Sequence, residues 1–328
     1  MSRAMALSRF GGPEVLEMRT VPEVAPGPGE ICIRHSAIGV NFTDVHGRRG
    51  DYRDLHDLPK PLVLGMEAVG VVEAIGPGVE RFRTGDRVAY ASRPLGAYCE
   101  ARNFPAARCV RVPEGLADEI VAATFLKGLT VQVLARCVFR VEPGSWVVFH
   151  SAAGGVGTLA GQWLRALGAR AIGIVGSAEK VASALENGYE AVFVHGQDDW
   201  PARVRELTAG AGVPVVYDPV GLATWEGSIA CLGSRGHLVC FGNSSGLVPP
   251  FSVNLLRDRG SLWLTWVRFG DYTASTDELE AAARDLFDAL GRGLLRPRPP
   301  RTLPLAQAAQ AHRLLESRKT TGALVLIP

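Results

Sequence analysis

The sequence lacks three features that would each have assigned it to a class of protein. Its six cysteines are scattered, with no two closer than nine positions, which excludes a C-x2-C zinc knuckle and favours buried thiols in a reducing compartment. We find no run of about 18 apolar residues, so we expect no membrane span. The N-terminal stretch MSRAMALSRFGGPEV holds no apolar core of signal-peptide length. These absences predict a soluble, cytoplasmic protein.

An excess of charge of one sign is also absent. The 35 Lys and Arg residues against 33 Asp and Glu give a formal net charge of +2, so bulk charge does not indicate nucleic-acid binding. The arginine-rich stretches RDRG (257–260) and RPRPPR (296–301) are predicted to be solvated faces. Hydrophobic residues make up 47% of the 328 residues, which predicts a globular chain of one or two domains.

The pattern of the chain changes near residue 122. Before it, short β-rich runs such as EICIRHSAIGV alternate with Gly and Pro, which predicts a small barrel or sandwich. After it, apolar strand-like runs alternate with helical ones, which predicts a parallel sheet covered by helices. The strand GALVLIP in the tail either extends that sheet or returns to the first domain, and composition does not decide. The predicted strands of the sheet are 146–150, 169–175, 190–194, 213–218, 237–242 and 261–266.

The stretch HSAAGGVGTLAGQWLRALGA (150–169) raises the question of a phosphate-binding turn. It follows the apolar run WVVFH, and apolar residues then recur at helical spacing up to Leu167. This order matches the G-x-G-x-x-G dinucleotide fingerprint, with Ala152, Gly154 and Gly157 in the three places. Gly154 would let the backbone approach a pyrophosphate at the positive end of the helix, and Gly157 would allow close helix–strand packing. A tight turn without a ligand is the alternative, and the further β-units behind the turn argue against it.

The end of the next predicted strand bears on which dinucleotide is bound. An NAD site places Asp or Glu about 20 residues past the fingerprint, on the ribose hydroxyls. Gly176 and Ser177 stand there instead, and Lys180 follows within one turn, where its ammonium group suits a 2′-phosphate. We therefore expect NADPH as the cofactor. Glu179, adjacent to Lys180, argues against this unless it points outward.

Several stretches, in order along nearly the whole chain, carry a family resemblance; they include AIGVNFTDVHGRRGDY (37–52), LGMEAVGVV (64–72), HSAAGGVG (150–157), VVYDPVG (215–221) and AHRLLESRKTTGALVLIP (311–328). Together they resemble the zinc-free quinone oxidoreductase (zeta-crystallin-like) branch of the medium-chain dehydrogenase/reductase superfamily. The resemblance implies an α/β fold with a GroES-like β-rich catalytic domain over 1–121 and 267–328. It implies a Rossmann domain, a doubly wound parallel sheet that binds NADP(H), over 122–266. It also implies a homodimer paired through the edge strand of that sheet, for which SLWLTWV (261–267) is apolar enough.

The same resemblance predicts that no metal is bound. Zinc alcohol dehydrogenases of this superfamily carry their three catalytic ligands at positions that hold Asn41, Met66 and Leu126 in this chain. These residues cannot supply the ligand set that catalytic zinc needs. Without a Lewis acid an alkoxide is hard to stabilise, which disfavours alcohol oxidation. A quinone is already electron-poor and needs little more than the hydride of a nicotinamide.

The sequence therefore predicts a zinc-independent NADPH:quinone reductase acting on a small-molecule quinone. One alternative is an NADPH-dependent reductase of activated C=C bonds in enones or acrylyl thioesters. An alternative of another class is a crystallin-like nucleotide- or RNA-binding protein without useful turnover. The sequence leaves open the physiological acceptor and whether one or two electrons reach it.

Candidate site residues are assigned on the resemblance. The catalytic candidates are Asn41, His46 and Tyr52, and residues 42–46 are expected to form a loop at the nicotinamide end. His46 stands where the bacterial relatives favour tyrosine; it either donates a proton to the reduced quinone or is a solvated loop residue. The cofactor-binding candidates are Asn41, Phe42, Asp44, Lys127, Thr130, Gly154, Gly155, Val156, Gly176, Ser177, Lys180, His195, Phe241, Gly242, Asn243, Ser244 and Arg318.

Overall fold

The computed structural model describes residues 1–317 and 322–328. Its strands are β1 (Ser2–Leu7), β2 (Glu17–Val21), β3 (Glu30–Val40), β4 (Leu62–Val63), β5 (Glu67–Ile75), β6 (Arg87–Ala91), β7 (Ala101–Pro105), β8 (Val110–Arg111), β9 (Trp146–His150), β10 (Arg170–Val175), β11 (Ala191–Val194), β12 (Val213–Asp218), β13 (Leu232–Cys240), β14 (Trp263–Trp266), β15 (Arg301–Pro304) and β16 (Leu324–Ile327). Its α-helices are α1 (Phe42–Arg49), α2 (Asp118–Gln132), α3 (Gly155–Ala166), α4 (Val181–Glu186), α5 (Trp200–Leu207), α6 (Trp225–Cys231), α7 (Asn254–Asp258), α8 (Thr276–Gly291) and α9 (Ala308–Glu316). Single 3-10 turns cover Pro13–Val15, Arg53–Leu55, Ala106–Arg108, Ala178–Lys180, Phe269–Asp271 and Leu305–Gln307, and a π-helical turn covers Val133–Val138.

The chain divides into two compact units. The first unit comprises Met1–Leu126, Ala274–Gly291 and Pro297–Pro328, and the second unit comprises Lys127–Thr273 and Arg292–Arg296. The domain limits predicted from the sequence, at 121/122 and 266/267, stay a prediction. The predicted α/β class, with a β-rich part and a parallel sheet, is confirmed.

The first unit is built on antiparallel strands. A small sheet has the order β2-β1-β4, and a larger one has the order β15-β16-β3-β5-β6-β8, with β7 also paired to β3. Alternate residues of β3, such as Ile31 and Ile33, are fully buried, as expected for strands that pack one face on a core. Strand β16 pairs antiparallel with β3, so the tail returns to the first unit, which answers the question that composition left open.

The second unit is a six-stranded parallel sheet with the order β11-β10-β9-β12-β13-β14. The strand order reverses between β9 and β12, and ligands bind at the carboxyl ends of strands on either side of such a switch point. Five of the six predicted strands agree with the structure to within two residues at each end, whereas β13 begins at Leu232, five residues before the predicted start. The buried strands are continuous apolar runs, which explains why the sequence predicted them so well.

One sequence-based expectation about a single element is wrong. Residues 42–46 form part of helix α1 rather than a loop, because Asn41 and Asp44 provide the N-terminal cap and Gly50, at φ 84°, ends the helix in the left-handed region. By length and composition alone the helical stretch Asp118–Val138 is apolar enough to cross a membrane, but Lys127 and Arg136 interrupt it, so it is not a continuous apolar run. Its most apolar window is 72% buried within the fold, as in the core helix of a soluble protein.

Candidate functional site

The glycine-rich turn of the second unit joins β9 to α3 as predicted. Gly154 precedes the first turn of α3, and the Gly154 N–H donates to the Ser151 carbonyl at 2.8 Å. A Cβ on Gly157 would lie 2.2 Å from the Ser151 carbonyl oxygen and 2.7 Å from the Ala152 backbone. Position 157 therefore tolerates only glycine, since the helix starts directly against the turn. The free N–H groups at the start of an α-helix are then at the carboxyl edge of the sheet, where an anion is favoured.

Three buried polar atoms of the second unit have no hydrogen-bond partner among the residues that the structure describes: His150 Nδ1, Ser177 Oγ and His195 Nδ1. His150 is the last residue of β9, Ser177 follows the end of β10, and His195 follows the end of β11. These three strands are adjacent in the sheet. Buried polar groups in a folded protein are almost always paired, so an unpaired set at one edge indicates a polar ligand or bound water. The set therefore fits the ribose hydroxyls and phosphate of a dinucleotide.

The protonation of His150 is fixed by its neighbours. Ser228 Oγ donates to Asp218 Oδ2 at 2.8 Å, so His150 Nε2, 2.9 Å from the same Oγ, must carry the proton that it donates. Burial lowers the pKa of His150, which keeps the ring neutral. Nδ1 therefore presents a lone pair and accepts from a hydroxyl or water.

The turn after β10 holds the residues predicted to recognise a 2′-phosphate. Gly176 is exposed, and no atom lies within 4 Å of a Cβ built there, so the backbone is open on this side. Ser177 is half-buried and Lys180 ends the 3-10 turn Ala178–Lys180, half-buried as well. Glu179 is exposed, so the carboxylate that argued against a phosphate at Lys180 faces solvent.

The remaining candidates of the second unit lie on α2 and after β13. Lys127 is nearly buried, and its Cδ and Cε lie 3.1 Å from a Cβ built on Gly155, which places the side chain at the start of α3. Thr130 is half-buried one turn further along α2. The loop 241–244 is tied to the loop after β12, because the Ser244 N–H donates to the Pro219 carbonyl at 3.2 Å. Phe241 also contacts the ring of Phe149 on β9, with centroids 5.7 Å apart.

In the first unit the candidates cluster at the start of α1. The Asn41 N–H donates to Asp44 Oδ2 at 2.8 Å, and Asn41 Nδ2 donates to Glu67 Oε2 at 2.7 Å. Asp44 is buried and also accepts from the Tyr98 hydroxyl at 3.1 Å. Phe42 is largely exposed on the first turn. The structure therefore holds Asn41 by its backbone and by its side chain at once.

His46 and Tyr52 lie side by side at the other end of α1. His46 Nδ1 is 2.7 Å from Asp51 Oδ2, and the His46 and Tyr52 rings are 6.0 Å apart. The Tyr52 hydroxyl is 3.0 Å from Thr43 Oγ1, and burial raises the pKa of Tyr52. Asp51 was not identified from the sequence; it fixes the ring of His46 as a carboxylate fixes a catalytic histidine.

A buried chain of hydrogen bonds continues from Asp44 to helix α9. The Tyr98 hydroxyl is 3.0 Å from His312 Nε2, and Arg48 donates to His312 Nδ1 at 3.3 Å and to both oxygens of Glu316 at 2.8 and 2.9 Å. Burial lowers the pKa of His312 to about 3, so the ring is neutral, and because Nδ1 accepts from Arg48, Nε2 donates to Tyr98. No sequence motif indicates this hydrogen-bonded network, because His312 lies 214 residues from Tyr98 along the chain. Arg318, the last predicted cofactor ligand, lies outside the described residues.

No metal site is formed by the part of the chain that the structure describes: it contains no group of three or more His, Cys, Asp or Glu side chains that could hold an ion. Burial raises the pKa of the thiols of Cys99, Cys231 and Cys240 to about 12, so these remain protonated rather than becoming thiolate ligands. At position 41, where the zinc alcohol dehydrogenases carry a zinc ligand, the amide NH2 of Asn41 donates to Glu67.

Comparison with known proteins places both units in established families. The alcohol dehydrogenase GroES-like domain matches residues 27–122, and the zinc-binding dehydrogenase family matches residues 155–284. The quinone oxidoreductase of Pseudomonas aeruginosa is 44% identical over 100% of both chains. The crystal structure of Escherichia coli quinone oxidoreductase complexed with NADPH is 41% identical, with a TM-score of 0.95 over 100% of both chains. The 2-haloacrylate reductase of a Burkholderia species is 39% identical over 100% of this chain and 99% of its own.

Proposed function

This chain belongs to the quinone oxidoreductase branch of the medium-chain dehydrogenase/reductase superfamily, and we propose that it reduces a quinone with NADPH and without a metal ion. The balanced reaction is NADPH + quinone + H⁺ → NADP⁺ + hydroquinone. The observation that carries the proposal is the set of unpartnered atoms on His150, Ser177 and His195 beside a turn that only glycine can form. This set supports the assignment of a phosphorylated dinucleotide to the second unit.

The second unit provides the residues that hold the cofactor. We assign the pyrophosphate to Gly154, Gly155 and Val156 at the start of α3, where N–H groups and the helix dipole favour an anion. We assign the adenosine 2′-phosphate to Gly176, Ser177, Lys180 and His195, with the ammonium group of Lys180 as the principal charge. No carboxylate stands at the strand end to bind an unphosphorylated ribose, which favours NADPH over NADH.

The remaining cofactor ligands are assigned to the nicotinamide half. They are Asn41, Phe42 and Asp44 of the first unit, Lys127 and Thr130 of α2, and Phe241, Gly242, Asn243 and Ser244 after β13. Bound NADPH supplies the hydride that reduces the quinone. The task of these side chains is to orient the two reactants and to exclude water.

Proton delivery is assigned to His46. Hydride addition to a quinone leaves an oxyanion that takes up one proton, and an imidazolium can supply it. Asp51 accepts the Nδ1–H of His46 at 2.7 Å, so Nε2 is the atom that gives up the proton. Tyr52, whose hydroxyl is 3.0 Å from Thr43 Oγ1, is assigned to positioning the quinone beside His46.

Zinc does not fit the residues of this chain, although one matching family is described by zinc binding. Asn41, Met66 and Leu126 provide no set of three ligands, and the Asn41 amide is engaged by Glu67. We therefore derive no step through a metal. This supports reduction of a substrate that is already electron-poor over oxidation of an alcohol.

A second candidate function is the reduction of an activated C=C bond, which the similarity to a 2-haloacrylate reductase favours. The test is NADPH oxidation by the purified protein with 1,4-benzoquinone, an enone and 2-chloroacrylate at matched concentrations. We expect the highest kcat/KM with the quinone. Turnover with the acrylate or enone alone would assign the protein to the second function, and NADPH binding with no turnover would contradict both.

We also propose that the protein is a cytoplasmic homodimer. The apolar edge strand β14 pairs with β13 on one side, and it exposes Trp263 by 63% and Trp266 by 48%. Large exposed aromatic residues on a sheet edge favour pairing with a second copy of the chain. The buried thiols and the absence of disulfides among the described residues support a reducing compartment.

A further inference from the structure

Glu67 is a fully buried carboxylate that lies outside the cofactor-binding and catalytic residues proposed above. Glu67 is the first residue of β5, and its side chain is 0% exposed. Burying a carboxylate costs free energy of folding unless hydrogen-bond donors surround it, so a buried glutamate needs donors close by. Two such groups donate to Glu67.

The two oxygens of Glu67 join two separate segments of the first unit. Oε2 accepts from Asn41 Nδ2 at 2.7 Å, at the point where β3 ends and α1 begins. Oε1 accepts from the backbone N–H of Leu126 at 2.6 Å, in helix α2. One carboxylate therefore ties the N-terminus of α1 to α2.

The sequence leaves room for this carboxylate. Gly39, the residue paired with Glu67 across β3 and β5, would place a Cβ 2.2 Å from Glu67 Oε2 and 2.3 Å from the Ala122 carbonyl oxygen. Any side chain at position 39 would displace the carboxylate or the helix. Glycine at 39, the buried acid at 67 and the amide at 41 therefore form one arrangement.

The chemistry of the pair determines how Asn41 is presented. A carboxylate only accepts, so it selects the orientation in which the amide NH2 of Asn41 faces Glu67 and the amide oxygen faces the other way. A hydrogen bond to an ionised group is also stronger than one between neutral groups. We propose that Glu67 is a positioning residue that fixes the side chain of Asn41, and the start of α1 with it, for hydride transfer to the quinone.

This inference rests on the proposed function only through the role of Asn41 in the reaction. The positional part, which is that Glu67 restrains residues 41 and 126, holds for the free protein. Glutamine at 67 has nearly the same shape but presents an NH2 as well as an oxygen, so it no longer selects one orientation of Asn41. The test therefore needs one readout in the free protein and one in turnover.

The main variant is Glu67→Gln, and its matched control is Glu73→Gln on the same strand, where the carboxylate is half exposed and pairs with Arg34. We expect Glu67→Gln to lower kcat with 1,4-benzoquinone by about ten- to a hundredfold, the range for a lost hydrogen bond to a charged group. The Kd for NADPH should change less than about threefold. Hydrogen exchange in the free protein should accelerate in peptides covering 40–47 and 124–128. The control should change none of these.

A double-mutant cycle with Asn41→Ala shows whether Glu67 acts through Asn41. If it does, Asn41→Ala with Glu67→Gln has the kcat of Asn41→Ala alone. Multiplying effects would contradict the proposal, as would a Glu67→Gln variant that is less stable to heat but retains full kcat. If Glu67→Gln does not fold, Asn41→Ala removes the same bond from the other side, and unchanged exchange near 41 would overturn the inference. Unaltered exchange contradicts the positioning role, whereas absence of quinone turnover in the unmodified protein contradicts the proposed function.

Discussion

Most of the proposed chemistry depends on single residues, and the strictest requirement is the one for glycine at position 157. Gly157 leaves no space for a side chain, whereas a Cβ on Gly154 would lie 3.1 Å from the Ser151 carbonyl oxygen, close but not excluded. Glycine is therefore needed at position 154 mainly because of the bound ligand rather than because of the fold. A pyrophosphate must approach the backbone where any larger residue would stand.

We predict that Gly154→Val weakens NADPH binding at least a hundredfold, because the β-branched side chain blocks approach of the phosphate to the backbone. Titration of NADPH fluorescence measures the Kd. Gly270→Val is the matched control in the same unit, since no atom lies within 4 Å of its Cβ position and its backbone is not left-handed. An unchanged Kd in Gly154→Val would refute the assignment of this turn.

The proposed transfer of a proton from His46 to the reduced quinone can be tested by substitution. His46→Gln should lower kcat with 1,4-benzoquinone about a hundredfold, because general acid catalysis contributes on that order. Asp51→Asn should have a smaller effect, about tenfold, since it only loosens the ring of His46. The loss should shrink for electron-poor quinones whose reduced oxyanion is a weaker base.

The control for the charge change at Asp51 is Asp57→Asn, an exposed carboxylate on the same connection. Steady-state kinetics over a series of substituted quinones provides the measurement. If His46→Gln slows all quinones equally, or none, His46 does not deliver the proton.

At the scale of elements, the fit between α1 and α9 depends on buried polar contacts. His312 of α9 links Arg48 of α1 to Tyr98. Burial of the imidazole ring lowers the pKa of His312 from 6.5 to about 3. Between those pH values the unfolded chain binds a proton that the folded chain does not. Stability from this group is therefore complete above about pH 6.5 and is lost as the pH falls toward 3.

We predict that His312→Gln flattens the pH dependence of the unfolding free energy. Glutamine can accept from Arg48 and donate to Tyr98 but does not titrate. Between pH 4 and 6 the slope should fall by about 1.4 kcal/mol per pH unit, the value for one proton. Urea unfolding at a series of pH values measures it, and the slopes between pH 7 and 8 should agree. An equally steep slope below pH 6 in the variant would show that His312 is not buried in the neutral form.

The elements that the sequence predicted well are those whose buried residues follow one another in a short stretch of the chain. The parallel strands and α3 follow from apolar runs and a glycine-rich turn that are visible in short windows. Helix α1 was missed because the family resemblance suggested a loop, although Asn41 and Asp44 have the spacing of a helix cap.

The contacts that complete the site were beyond the reach of sequence patterns. Glu67 meets partners 26 and 59 residues away, and His312 meets Tyr98 at a separation of 214 residues. Such pairs are decided by the packing of the sheets, and no local periodicity reports them. Sequence patterns therefore indicated candidate site residues, which stay a prediction, but not the residues that hold those candidates in place.

At the scale of the whole molecule, the edge strand β14 leads to a prediction about assembly. We expect the protein to sediment as a dimer and Trp263→Arg to sediment as a monomer, because a charge at the edge prevents pairing. Leu222→Arg is the control, since Leu222 is also exposed but lies outside β14. A dimer that persists in Trp263→Arg would place the interface elsewhere.

The similarity to quinone oxidoreductases extends over the full length of the chain, so the two units are inherited together. In this chain His46 is paired with Asp51, at a position where the family resemblance suggests tyrosine. The family membership supports the reaction type, and we propose that this pair delivers the proton.

The central claim is NADPH-dependent quinone reduction without a metal. The most direct measurement is the loss of absorbance of NADPH at about 340 nm with 1,4-benzoquinone, using protein dialysed against a chelator, and then the same with NADH. We predict unchanged turnover after chelation and a kcat/KM at least tenfold higher with NADPH than with NADH. Turnover that disappears with the chelator and returns with zinc, or an equal preference for NADH, would contradict the account.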